Sequence, residues 1–114
     1  MQGVNKVILI GNVGKTPEIR QLQNGNEVAN FSIAINEYWK DKDGERKENT
    51  QWFNIVIYNK GLVEITKKYI SKGSKLSIEG KLNNRKYQDS LGHDKYITEI
   101  ICSNLTLLDK KDEQ

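Results

Sequence analysis

From Thr50 to Gly80 the chain reads "TQWFNIVIYNKGLVEITKKYISKGSKLSIEG". The apolar residues change period twice along this stretch, and those changes decide the fold. Through Thr50–Asn59 the period is two, so Phe53, Ile55 and Ile57 share one face while Trp52, Asn54, Val56 and Tyr58 share the other. That is a strand with a single core face. From Leu62 to Ile70 the spacing becomes three and four, which places Leu62, Ile65 and Tyr69 along one side of a helix that Gly73 in "SKGS" is expected to stop. Period two returns at Ser74, with Leu76, Ile78, Gly80 and Leu82 predicted to point inward along a strand reaching Tyr87. The order is strand, helix, strand.

Outward from this core, "VNKVILIGNV" (Val4–Val13) and "EVANFSIAINEYW" (Glu27–Trp39) read as two earlier strands, and "KYITEIICSNLTLL" (Lys95–Leu108) as a last one. Asn24-Gly25 and the "DSLGHD" segment around Gly92 supply the reversals. The run Lys40–Glu48 holds four basic and four acidic residues and reads as a solvated hairpin tip. Five strands with one helix between the third and fourth predict an all-β domain with the order of an OB-fold, a five-stranded Greek-key barrel. A sandwich of the same strands is the alternative, and the position of the helix favours the barrel. Gly80 fits a strand that bends around a small closed sheet.

A chain of 114 residues is expected to form one domain, residues 1–108, followed by a short charged tail, 109–114. The longest aliphatic run, "VILI" at Val7–Ile10, is far below the length of a spanning helix, and "MQGVNK" has neither a secretory nor a transit pattern. A non-exported protein without a membrane segment is expected. The single Cys102 allows no internal disulfide and lies in an apolar stretch, which favours buried packing in a reducing compartment. A formal charge of +3 leans only mildly toward polyanions.

Both tryptophans flank the polar hairpin: Trp39 just beyond the buried run of its strand, Trp52 on the face opposite Phe53. Tyr58 shares Trp52's face, and Tyr87 shares a cationic face with Lys75, Lys81 and Arg85. Any one of these rings could equally be a packed side chain or lie under a neighbouring subunit. Together, with Lys60, Lys81, Arg85 and Lys86 between them, they form a stacking platform flanked by phosphate-binding cations, which points to single-stranded nucleic acid. A module for oligomerisation or protein recruitment, using the same aromatics as contact surface without binding DNA, is the rival reading. Catalysis has little support. "IGNVGKT" ends like a phosphate-binding loop but carries Leu9 where its first glycine belongs, with Pro17 directly after Thr16. One histidine, His93 in a turn, and one cysteine make neither a metal cluster nor a nucleophilic site, so no cofactor or metal is expected.

Five segments in order, "GVNKVILIGNVGKTPEIR", "NGNEVANFSIAINEYW", "TQWFNIVIYNK", "YISKGSKLSIEGKL" and "RKYQD", resemble the bacterial single-stranded DNA-binding proteins over nearly the whole chain. The resemblance implies an OB-fold homotetramer that wraps single-stranded DNA without sequence preference in replication, recombination and repair, in the bacterial cytoplasm and associated with the nucleoid. It places base-stacking roles on Trp39, Trp52, Tyr58 and Tyr87, and phosphate contacts on Lys6, Lys60, Lys72, Arg85 and Lys86. Tyr58 and Tyr87 stand where other members often carry Phe and Trp, which shrinks one platform; Phe53 stands where His is common near the subunit interface. The family continues into a flexible linker and an acidic tip that recruits other proteins. This sequence stops at "LLDKKDEQ". Replication and repair proteins are therefore expected as partners only if a longer acidic tail exists in the natural protein.

Overall fold

The computed structural model describes residues 3–108. Its elements run β1 (Val7–Val13), β2 (Glu18–Gln21), β3 (Glu27–Lys40), β4 (Arg46–Ile57), α1 (Lys60–Tyr69), β5 (Lys75–Gln88) and β6 (Asp94–Leu107). β1 pairs along β5 from Val7↔Gly80 to Asn12↔Lys75, and its last two residues also pair with β3. β3 and β4 form a long antiparallel ribbon, as do β5 and β6, and β4 meets β6 in a short parallel step at Ile55↔Ile100 and Val56↔Ile101. The circuit β1-β5-β6-β4-β3 returns to β1, so five strands close a barrel. With α1 between the third and fourth of them, this is the OB-fold that the period changes predict.

One strand escaped the sequence reading. β2 pairs with β3 from Glu18↔Asn30 to Gln21↔Glu27, directly beyond the β1–β3 pairs Asn12↔Ala34 and Val13↔Ile33. β2 is thus the continuation of β1 along the same partner, after an interruption at Gly14–Pro17 where extra residues bulge out of the ladder. The polar hairpin behaves as expected, with β3 and β4 paired to Lys40↔Arg46 and Gly44 at positive φ in the turn.

The core fills with Ile33, Ile55, Ile57, Leu76 and Ile78, all fully buried, joined by Phe31 and Ile100. α1 plugs this core with a different face from the one predicted. Val63, Thr66 and Ile70 are buried, Leu62 and Ile65 lie half in, and Tyr69 is exposed. Thr66 can be buried because its hydroxyl donates back to the Leu62 carbonyl at 2.8 Å, which satisfies its polar atom. Gly73 does not end the helix, which stops at Tyr69 with Ile70 already extended. It instead supplies the positive φ of the turn closed by Ser74 N–H to Ser71 O at 3.0 Å. Leu82 is exposed rather than inward, because β5 loses its β1 neighbour after Gly80 and runs on as a two-stranded arm with β6. At Gly80 itself a Cβ would run into the Ile101 carbonyl, next to a register shift in the β5–β6 ladder. The close approach, not freedom of φ, requires glycine there.

Candidate nucleic-acid interface

Strand register fixes which side chains share a surface. Across β3 and β4, the pairs Ala34↔Trp52, Ser32↔Asn54 and Asn30↔Val56 lie on the side away from the Phe31, Ile33 and Ile55 core. Val56 passes this outer face to Ile101, which lies opposite Lys81, and further along the β5–β6 arm the same face carries Asn83↔Glu99, Arg85↔Ile97 and Tyr87↔Lys95. Trp52, Tyr58, Arg85 and Tyr87 therefore stand on one continuous outer surface. Trp52 is 60% exposed, Tyr58 49% and Tyr87 44%, large apolar areas to leave in water. Gly14 makes room for Trp52: a side chain there would collide with the indole, so the glycine lets the ring pack against the backbone just after β1.

Trp39 is half exposed but takes the opposite side of the ribbon, paired with Lys47, so register does not bring it together with Trp52. Its expected exposure is present. Tyr38, next along, faces the guanidinium of Arg46 at 5.1 Å from its centroid.

The cations divide into two groups. Arg85 is held by Glu99 through Nε to Oε2 at 3.3 Å and Nη2 to Oε1 at 3.2 Å, while Asn83 Nδ2 donates to Oε2 at 3.2 Å. These hydrogen bonds and the adjacent carboxylate raise the Arg85 pKa, with smaller contributions from Tyr58 and Tyr87, so both phenols lie within electrostatic reach of the guanidinium. Lys86 pairs with Asp94 at 3.3 Å and Lys6 with Glu79 at 2.7 Å, and both pairs are open to solvent. Such exposed pairs are weak enough for a stronger anion to displace. Lys60 and Lys72 are exposed, Lys60 in the first turn of α1 just after the capping Asn59 and Lys72 in the turn before β5.

A groove of about 420 Å³ runs through this surface, lined by Tyr58 and Arg85 together with Lys15, Arg20, Asn54 and Glu99. Lys15, Arg20, Asn54 and Glu99 were not among the residues singled out from the sequence. Lys15 sat in the phosphate-loop look-alike, and Arg20 becomes legible only once β2 is recognised as a strand with Ile19 turned inward. Lys6 lies elsewhere, in a smaller hollow with Glu79, Lys81 and Ser103. Among the described residues no group of three or more His, Cys, Asp or Glu side chains could hold a metal ion, and no helix is long and apolar enough to cross a membrane. The surface offers flat rings at the spacing of a ribbon, with guanidinium and ammonium groups beside them.

The sequence and the fold are similar to those of known proteins. The chain is 51% identical over 111 residues to a single-stranded DNA-binding protein of Rhizobium meliloti, covering 93% of this chain and 64% of that protein. It is also 51% identical over 113 residues to the one of Rickettsia typhi, covering 95% and 74%. Among solved structures, "Plasmodium falciparum SSB complex with ssDNA" superposes with a TM-score of 0.88 at 40% identity, over 96% of this chain and 98% of that one. The sequence model of the Single-strand binding protein family matches residues 4–108, which takes in the whole barrel and both arms that carry the exposed rings. On that match and these identities, the chain belongs to the single-strand binding protein family.

Proposed function

We propose that this chain binds single-stranded DNA without sequence preference and protects it during replication, recombination and repair. The observation that carries the proposal is the outer surface that runs from Trp52 on the β3–β4 ribbon past Tyr58 to Arg85 and Tyr87 on the β5–β6 arm, with all three rings about half exposed. Unpaired bases offer π-faces to the rings, every base alike, and the backbone offers phosphates to the cations. In this reading Trp39, Trp52, Tyr58 and Tyr87 stack bases. Arg85, Lys60, Lys72, Lys86 and Lys6 meet phosphates, with Lys86 and Lys6 exchanging their carboxylate partners for the strand. Trp39, on the reverse of its ribbon, is reached where the strand passes around the ribbon's edge. The role is one of binding, not catalysis.

The working unit in this proposal is a homotetramer. Ile8 and Ile10 are 64% and 53% exposed on the outer side of β1, across from Glu79 and Ser77, and this apolar strip is what a neighbouring chain would cover.

Tryptophan fluorescence during addition of a thymine oligomer tests the proposal. Stacked indoles are quenched in proportion to occupancy, and duplex DNA, whose base faces are hidden, leaves the signal near its starting value. An unchanged spectrum at saturating oligomer would remove the stacking surface, and with it the proposal.

A further inference from the structure

Glu99 is out of place on a surface meant for a polyanion. Its side chain is 2% exposed, the most deeply buried partner of any ion pair among the described residues, and it lines the same groove as Lys15, Arg20 and Arg85. A carboxylate there repels phosphate, and burying it costs desolvation energy that only close pairing offsets. Stapling β5 to β6 is not a sufficient reason, because those strands already pair from Leu76↔Leu107 to Gln88↔Asp94.

The geometry of the pair suggests what it does. Glu99 engages Arg85 side-on, through Nε and Nη2, and Asn83 fixes one of the carboxylate oxygens from the neighbouring position on β5. A guanidinium has five N–H donors in a rigid plane, so a side-on fork leaves the Nη1 edge free to grip a second oxyanion. Arg85 remains 49% exposed, so the side chain is within reach of a ligand from solvent. A long side chain that would otherwise sample many rotamers is held in one plane before any ligand arrives.

We infer that Glu99 is a positioning residue: it clamps the Arg85 guanidinium so that its remaining edge meets a phosphate of the strand stacked on Tyr58 and Tyr87. This inference rests on the single-strand-binding proposal above and adds to it a role for an acidic residue. It makes a prediction opposite to simple charge counting. Removing the Glu99 charge leaves the groove more positive, so long-range electrostatics alone would tighten DNA binding; loss of positioning loosens it.

The test is thymine-oligomer affinity as a function of salt for the full chain and for Glu99→Gln, Arg85→Lys and the double variant, each first checked for a cooperative thermal transition. Arg85→Lys keeps the charge but cannot form the fork, and its thermal transition reads what the loss of the fork to the buried Glu99 costs in stability. Each single variant is expected to bind about tenfold more weakly, as for loss of one charge-assisted fork, and to lower the log K against log[salt] slope by about 0.7, one phosphate contact. The double variant should be no weaker than either single one. Equal or tighter binding by Glu99→Gln, or weaker binding at an unchanged salt slope, would overturn the positioning role. If Glu99→Gln does not fold, wild-type affinity and slope in Arg85→Lys would overturn it alone. Absence of binding by the unmodified chain would instead sink the single-strand proposal itself, so the two failures are distinguishable.

Discussion

Trp52 and Phe53 are adjacent in sequence and opposite in consequence. The first is turned out over Gly14 and the second is packed half-buried against the Ile33 side of the core. Trp52→Ala is expected to weaken thymine-oligomer binding by about 1–3 kcal/mol, the range for base–aromatic stacking in proteins that bind single strands, with the melting temperature little changed. Phe53→Ala should do the reverse, lowering stability in urea by about 2–4 kcal/mol while a refolded fraction still binds. Equal effects of the two variants on affinity would show that parity does not separate the faces. Cys102 makes a third residue-level check. Burial raises its thiol pKa, and Sγ lies 3.2 Å from the Asn104 carbonyl, so alkylation at pH 8 should be slow in the folded chain and fast in denaturant. These residues were legible because strand parity assigns a face without any tertiary information. Glu99 was not legible: in "ITEII" it alternates out of the core like any solvated residue, and the partners that hold it when buried, Asn83 and Arg85, come from across the ladder.

At the scale of elements, the sequence marks strands well where the apolar period is unbroken and poorly where a bulge hides continuity. β2 was missed because Gly14–Pro17 reads as the end of a strand, whereas in the barrel it is a kink in one strand that stays on β3. The face of α1 was misassigned because Thr66 looks polar and Tyr69 apolar; the threonine is self-satisfied and buried, while the tyrosine faces solvent. Helix α1 is capped by Asn59, whose side chain accepts from Leu62 N–H at 3.0 Å. Asn59→Ala should therefore cost about 1 kcal/mol in a denaturant titration, without altering DNA affinity per folded molecule. Gly80→Ala should cost about 1–3 kcal/mol or more, since the barrel can accept a Cβ there only by shifting the Ile101 backbone. A neutral result at Gly80 would mean that the β5–β6 bulge is slack.

At the scale of the whole molecule, closure of the barrel rests on two short contacts, β1 with β3 and β4 with β6, while the long ribbons β3–β4 and β5–β6 extend beyond it as arms. The arms carry Trp39 and Tyr87, so the proposed binding surface is wider than the barrel. Contact with several phosphates should make log K fall linearly with log[salt], by about 0.7 for each one neutralised. In the absence of DNA, sedimentation at micromolar concentration is expected to report a single species of four chains covering Ile8 and Ile10; a monomer would leave that strip in water and contradict the assembly. The central claim is that a single strand lies on the outer face through Trp52, Tyr58, Arg85 and Tyr87. Hydroxyl-radical footprinting with and without a thymine oligomer tests it most directly, because it reads the exposure of each ring separately. Bound DNA should protect Trp52, Tyr58 and Tyr87 from oxidation more strongly than Tyr96, 73% exposed beside Lys86 on the reverse of the β5–β6 arm. Protection of Tyr96 with Trp52 and Tyr58 still fully reactive would place the strand on the other side of the molecule and contradict the account.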